Sequence, residues 1–289
     1  MSMKGIDVSR YQRDVDYKRL KAAGVDFVII QAGYGDVLSY PSQKDDMFEA
    51  HYKAATTAGL HVGAYWYSYA TDAKGAKREA QGFLQTIKGK KFDMPIYLDI
   101  EERNQKANAN EICKAFCDVC EAANYWTGVY SYLAMINSSI SKSICDRYSL
   151  WVAQWGGSKC TYNGTVNIWQ YADDAYYNGV KGRVDADICY DDYPAKIKNA
   201  GKNGYSKPTK VLDTKGMKEG QKNLGVYELK SLLSILETKM PLPVHITVGD
   251  SFGSGTTEVV NYLLATWGYV KNGIAGQNFV DKVTKIIKT

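Results

Sequence analysis

The sequence predicts an α/β chain in two parts: a β/α barrel of irregular TIM type over residues 1–195, then a basic linker at 196–212 and a small all-α domain of three helices at 213–289. Three observations carry this expectation. Short β-branched and aromatic runs alternate with helix-period stretches through the first 195 residues, a pattern of βα units and a parallel sheet. Lysines and turn residues then replace the apolar runs (Lys196, Lys198, Gly201, Lys202, Gly204, Lys207, Pro208, Lys210). Beyond them only amphipathic helical patterns remain.

Taken in order, Gly5-Ile6-Asp7-Val8-Ser9 alternates apolar and polar positions and reads as a first strand. Phe27–Ala32 is a second, followed by a helix from about Met47 to Gly59. Val62–Tyr67 is a third, and the spacing of Ala76, Ala80, Phe83 and Leu84 predicts a helix over 73–87. Ile96–Ile100 reads as a strand, 110–124 as a helix, and Thr127–Ser131, Leu150–Gln154 and Asn167–Tyr171 as further strands. In the C-terminal part, Leu229, Leu232, Leu233 and Leu236 mark one helix over 226–239. A second runs over 256–267, with Ser254 or Thr256 as candidate N-cap, and a third over 277–288.

Composition bounds the function classes. The 289 residues are 45% hydrophobic, ample for a core, and carry a formal net charge of +5. That mild excess suits contact with polyanionic surfaces. No dense Lys/Arg run interleaved with aromatics points to nucleic acid. No segment approaches the roughly 18 apolar residues of a membrane span. Met1-Ser2-Met3-Lys4-Gly5 lacks the apolar stretch of a signal peptide, so cytosolic synthesis is the expectation. Of six cysteines, Cys113, Cys117 and Cys120 recur at helical spacing. Their spacing matches no usual zinc motif, and a buried reduced stripe is expected rather than a metal site or disulfides. No metal or cofactor is implied.

The chemistry-bearing feature is Met94-Pro95-Ile96-Tyr97-Leu98-Asp99-Ile100-Glu101. Strand side chains alternate faces, so Asp99 and Glu101 point one way while Leu98 and Ile100 point into a core. Two residues of rise set the carboxylate stems roughly 7 Å apart, close enough to perturb each other's pKa. In a parallel barrel such a strand end faces the usual catalytic mouth. Asp7 in the first strand, and Asp185 with Asp187 in Val184-Asp185-Ala186-Asp187, occupy alternating positions of the same kind.

Six motifs in this order resemble those of glycoside hydrolase family 25, the lysozyme-type muramidases. They are Gly5-Ile6-Asp7-Val8-Ser9, Gly63-Ala64-Tyr65, Leu98-Asp99-Ile100-Glu101, Leu150-Trp151-Val152-Ala153-Gln154-Trp155, Ile168-Trp169-Gln170-Tyr171 and Val184-Asp185-Ala186-Asp187. This chain departs from that pattern in having Trp66-Tyr67 where many members have His-Phe, Gly33-Tyr34-Gly35 where others have an acidic Glu-Gly, and Asp187 where many have Asn. The resemblance implies a β/α barrel with Asp7, Asp99, Glu101 and Asp185 as the catalytic acids, cleaving the β-1,4 bond between N-acetylmuramic acid and N-acetylglucosamine in peptidoglycan.

Such cleavage needs one acid to protonate the leaving oxygen and another group to stabilise the oxocarbenium-like charge. Glu101, with the longer stem, is assigned the general acid, protonated because like-charge repulsion raises its pKa, with Asp99 ionised. A spacing near 7 Å exceeds the roughly 5–5.5 Å of a direct carboxylate nucleophile. Asp99 then either activates water, giving inversion, or orients the substrate's own 2-acetamido group, giving retention; the N-acetyl sugar favours the second. Tyr34, Tyr65, Trp66, Tyr67, Gln154, Trp155, Trp169 and Tyr171 are candidate sugar contacts, since sugar C–H faces pack on aromatic planes.

In the C-terminal part, Phe252-Gly253-Ser254-Gly255-Thr256-Thr257-Glu258-Val259-Val260, Trp267-Gly268-Tyr269 and Asn272-Gly273-Ile274-Ala275-Gly276 resemble the three-helix peptidoglycan-binding domain, with Asn272 in place of the usual Asp. The combined expectation is a phage endolysin released through membrane holes made by another protein and acting on a Gram-positive wall. A bacterial autolysin is the alternative. Rival readings of the acids are Mg²⁺-dependent phosphoryl hydrolysis and a non-catalytic glycan binder.

Overall fold

The computed structural model describes residues 2–206 and 211–288. They form two compact units, dividing between Lys207 and Pro208. In the first, eight strands close into a barrel in sequential order. They are β1 (Met3–Val8), β2 (Phe27–Tyr34), β3 (His61–Tyr67), β4 (Ile96–Asp99), β5 (Thr127–Tyr132), β6 (Ser149–Ala153), β7 (Ile168–Ala175) and β8 (Val184–Cys189). The helices between them are α1 (Tyr17–Ala22), α2 (Phe48–Thr57), α3 (Ala73–Thr86), α4 (Ala109–Ala122), α5 (Leu133–Ser139) and α6 (Lys142–Arg147), with α7 (Tyr193–Ala200) after β8.

The alternation of side chains along the strands builds two cores. Outward residues such as Ile6, Val8, Val28, Ile30, Leu98, Val129 and Val152 pack under the helices. Inward residues such as Phe27, Ile29, Tyr97, Tyr130 and Trp151 fill the barrel. Glycines make room for those rings. A Cβ on Gly5 would lie 2.2 Å from the Phe27 ring, and one on Gly128 would lie 2.2 Å from Tyr97.

One strand departs from the all-parallel expectation. β8 runs antiparallel to both of its neighbours, β7 and β1. Only eight residues, 176–183, separate β7 from β8, too few for the dozen or so that a parallel crossover needs. The reversal sends the first residues of β8, rather than its last, to the mouth where the other strands end. Asp185 therefore arrives opposite Asp7 in register.

The chain after β8 is also more ordered than a linker. Pro194 stands in the first turn of α7, Asp192 caps it, and Ile197 is fully buried. Asn203 is fully buried too. Its Nδ2 donates to the Met94 carbonyl at 2.9 Å and its Oδ1 accepts from the Trp126 amide at 2.6 Å. Lysines dominate this stretch because Lys196 and Lys198 point outward to Asp191 and Asp93. Polarity alone read as a linker; the buried positions 193, 197 and 203 tie it to the barrel. Residues 207–210 of the expected linker lie outside the described residues.

The second unit contains α8 (Leu224–Glu237), α9 (Ser254–Thr266) and α10 (Gln277–Lys288) around Leu229, Leu233, Leu236, Phe252, Val259, Leu263 and Phe279. Asn223 caps α8 by accepting from the Val226 amide at 3.0 Å. The N-cap of α9 is Gly253, with no side-chain cap, rather than Ser254 or Thr256. Asp213 accepts from the Phe279 amide at 2.9 Å, supplying α10 with a cap from distant sequence. Asn272 donates to the Asp213 carbonyl at 2.7 Å, a bond an ionised Asp at that position has no hydrogen to make.

Candidate active site

The barrel mouth holds a cavity of about 260 Å³ lined by Asp7, Gln31, Tyr65, Tyr67, Asp99, Glu101, Tyr130, Trp151, Gln170 and Asp185. Each of the eight strands delivers a lining residue by the same rule, alternate residues facing inward. β1 supplies Asp7, β4 and the residues just after it Asp99 and Glu101, and the reversed β8 supplies Asp185. All four acids singled out from sequence meet at this one cavity.

The acids form two groups. Asp7 sits opposite Asp185, with Asp187 two residues deeper along β8. Asp7 is 5% exposed and accepts from Gln170 Nε2 at 2.8 Å. Burial, then the charges of Asp185 and Asp187, push its carboxyl well above the usual range, and the Gln170 bond opposes that. Burial raises Asp185 to about 6. Asp187 is fully buried, raised chiefly by that burial, and accepts from Trp151 Nε1 at 2.8 Å. Its other oxygen has no partner.

On the other side, Asp99 is 4% exposed and its Oδ1 is buried without a partner. Burial raises it strongly, with Glu101 and Glu102 adding to the effect. Glu101, more open, is raised by partial burial first and by Glu102 second. The Tyr67 hydroxyl donates to Glu102 Oε1 at 2.8 Å. Desolvation, not like-charge repulsion, is thus the leading cause of both shifts. It raises Asp99 as well as Glu101, so burial favours the neutral form of both carboxyls.

A second cleft, of about 540 Å³, opens at the opposite end of the barrel around Trp126, Arg147, Asn167 and Lys196. Two ion pairs line it, Arg147 with Glu121 and Lys196 with Asp191. Among the described residues no group of His, Cys, Asp and Glu is gathered to hold a metal ion. Cys113, Cys117, Cys120 and Cys145 are buried free thiols. No described helix is long and apolar enough to cross a membrane.

The model of glycosyl hydrolases family 25 matches residues 6–180, the greater part of the chain and the segment that builds seven of the eight strands. The chain belongs to glycosyl hydrolases family 25. Among curated relatives of this family 25 chain, the autolytic lysozyme of Clostridium acetobutylicum is 31% identical over 195 residues, covering 64% of this chain and 55% of that lysozyme. The chain thus matches about half the length of that relative. Lysozyme M1 of Streptomyces globisporus is 29% identical over 211 residues, covering 63% of this chain and 66% of that protein. Among solved structures, the CTP1L endolysin superposes with a TM-score of 0.61 at 25% identity, over 68% of this chain and 70% of that one.

Within the family 25 barrel the candidate sugar contacts divide by strand face. Tyr65 and Tyr67 face the cavity. Trp66, between them, faces the other way: it is fully buried, donates from Nε1 to the Gly35 carbonyl at 3.1 Å and packs on Phe83 of α3. It is therefore not a sugar contact. A Cβ on Gly33 would lie 2.6 Å from the Trp66 ring, so the departures at positions 33 and 66 compensate one another. Trp169 is 4% exposed and donates to the Gln154 carbonyl at 2.8 Å, while Tyr171 hydrogen-bonds Tyr177 at 3.2 Å. Both lie on the face of β7 opposite Gln170. The Gln154 side chain turns to the Thr161 amide at 2.7 Å and does not line the cavity. Tyr34 sits beside the mouth, under Arg10 and edge-on to Tyr69. Trp155 is 52% exposed and donates to Gln170 Oε1 at 3.1 Å. Sequence reasoning passed over Gln170, Tyr130 and Gln31; the signal was their inward parity on β7, β5 and β2.

Proposed function

We propose that this chain is an N-acetylmuramidase of the endolysin kind, hydrolysing the β-1,4 bond between N-acetylmuramic acid and N-acetylglucosamine in bacterial peptidoglycan. The observation that carries the reading is the buried, partnerless Asp99 Oδ1 beside Glu101 in an acid-lined mouth. An oxygen so placed costs free energy until a donor arrives. The N–H of a 2-acetamido group is such a donor. In the empty mouth burial favours the neutral Asp99 carboxyl. When the acetamide N–H docks on Asp99, the ionised form of Asp99 is favoured, and Glu101, raised by its own burial, carries the catalytic proton. Glu101 then donates it to the glycosidic oxygen as the C–O bond breaks. The acetamide oxygen closes on the anomeric carbon while its N–H proton moves toward Asp99. Water opens that ring with Glu101 as the base, so the anomeric configuration is retained.

Within the Asp7, Asp185 and Asp187 group, whose carboxyls burial pushes toward the neutral form, the ionised member places negative potential behind the forming cation. The likeness to the CTP1L endolysin supports the endolysin role, and the likeness to an autolytic lysozyme supports the alternative of a bacterial autolysin. The LytC autolysin of Streptococcus pneumoniae, 25% identical with a TM-score of 0.58 over 65% of this chain, was solved with a synthetic peptidoglycan ligand. That supports the wall, a Gram-positive one in this reading, as the partner. The second unit is proposed to bind it.

The test is digestion of purified peptidoglycan with identification of the new reducing ends. Muramic acid at those ends supports the muramidase, and glucosamine overturns it. Glu101→Gln is expected to fold normally and lower kcat by about a hundredfold or more. Near wild-type turnover would remove Glu101 from the role of acid.

A further inference from the structure

The Asp7 carboxylate is joined to the molecular surface by a chain of two hydrogen bonds. Gln170 Nε2 donates to Asp7 Oδ2 at 2.8 Å. Gln170 Oε1 accepts from two donors at once, the Tyr130 hydroxyl at 3.0 Å and Trp155 Nε1 at 3.1 Å. Gln170 itself is 2% exposed, whereas Trp155, just past the end of β6, is 52% exposed. The two donors are not equivalent. A phenol hydroxyl donates or accepts, so it tolerates either orientation of a carboxamide. An indole N–H only donates. If the Gln170 amide turned over, its NH₂ would face the Trp155 N–H and its oxygen would face the Asp7 carboxylate. Both contacts would then be repulsive. The surface indole and the Asp7 carboxylate therefore select the same amide orientation, and the indole keeps it in place as Asp7 gains a proton and loses its own preference.

We propose that Gln170 is a positioning residue for Asp7 and that Trp155, at the rim, holds it in the productive orientation, so that a sugar ring packed on the indole reaches the acid pair through this relay. The inference rests on the glycosidase reading above and deepens it. The mechanism needs negative potential on the Asp7–Asp185 side of the mouth. Burial and the neighbouring acids work against it, and the Gln170 N–H works for it. A ring seated on Trp155 restrains the indole plane and with it the N–H direction. Binding at the rim and charge at the floor are then linked through two side chains.

The discriminating variant is Trp155→Phe, which keeps an aromatic plane for the sugar and removes only the N–H. It lies at an exposed position, so the fold is retained. With purified peptidoglycan as substrate, KM is expected to stay within about twofold and kcat to fall about five- to tenfold. The acid limb of the kcat–pH profile is expected to move to higher pH, because Asp7 is held less firmly in its ionised form. Gln170→Leu is expected to give the same shift, larger. Thermal melts of both variants separate this from lost folding. A Trp155→Phe enzyme with wild-type kcat and pH profile overturns the relay. So does one whose kcat falls while the acid limb stays in place, since that is a packing effect. Failure of the glycosidase reading would show differently, as an unmodified enzyme that releases no glycan fragments or a Glu101→Gln variant that still does.

Discussion

Tyr65 and Trp66 are neighbours in β3 and face opposite media. Tyr65 lines the mouth, edge-on to Trp151 at 6.2 Å, while Trp66 is sealed between the barrel and α3. The consequence is measurable. Trp66→Phe is expected to leave KM for peptidoglycan unchanged and to lower stability by about 2 kcal/mol, from the lost bond to Gly35 and the volume removed against Phe83. Denaturant melts beside Michaelis kinetics check this, and a raised KM with unchanged stability would return Trp66 to the sugar site. The same parity explains what was legible at the residue scale. Asp7, Asp99, Glu101 and Asp185 are readable because an acid inside an apolar strand run has one physical place to go, the polar mouth. Aromatics carry no such mark, since an indole is equally at home in a core or under a sugar. Gln170 is hidden for a different reason: its role comes from Asp7, Tyr130 and Trp155, which reach it only through barrel closure.

At the scale of elements, the turns that follow β3 and β4 are tied together beside the acids of the mouth. Glu79 of α3 is 4% exposed and accepts from Ser68 Oγ at 2.6 Å and from the Tyr69 amide at 3.1 Å. Gln105 donates to the Ser68 and Ala70 carbonyls at 2.9 and 3.0 Å, and its Oε1 accepts from the Glu102 amide at 2.9 Å. These bonds fix the segments next to Tyr67 and Glu101. Burial raises Glu79 from the ordinary glutamate value of 4.5 to about 7. Between those values the folded chain keeps a proton that the unfolded chain has released. Glu79 therefore favours folding most below the lower value, and that contribution is lost as pH rises through about 7. Removing the titration should flatten this part of the curve. Glu79→Gln is expected to gain stability relative to wild type between pH 5 and pH 8 by up to about 3 kcal/mol. Urea melts at the two pH values measure it, and a relative stability that does not change with pH would refute it. The strands and the longer helices α2, α3 and α4 were legible from periodicity, whereas α1, α5, α6 and α7, of six to eight residues each, are too short to show a helical period. The reversal of β8 was not read from the pattern, although the short β7–β8 connection contains its cause.

At the scale of the whole molecule, each unit has its own core, one inside and around the barrel and one among α8, α9 and α10. The barrel unit does not end where its motifs end. The Asn203 amide donates to the Asn124 carbonyl at 3.1 Å and its carbonyl accepts from the Phe92 amide at 3.2 Å, in addition to its two side-chain bonds. A chain cut after residue 200 loses all four and opens the Met94 and Trp126 backbone groups. A chain cut after residue 206 keeps them. The longer fragment is expected to melt in one transition and to digest soluble glycan strands at the full-length rate. The shorter one is expected to be less stable by about 2 kcal/mol or more. If the second unit holds the enzyme on the wall, the 1–206 fragment should also sediment with insoluble walls much less than the full chain does. Tethering raises local concentration without touching the catalytic groups, so the loss belongs to binding and not to turnover. Equal sedimentation of the two would leave the helical unit without an anchoring role, while unequal rates on soluble glycan would mean that it acts on catalysis instead.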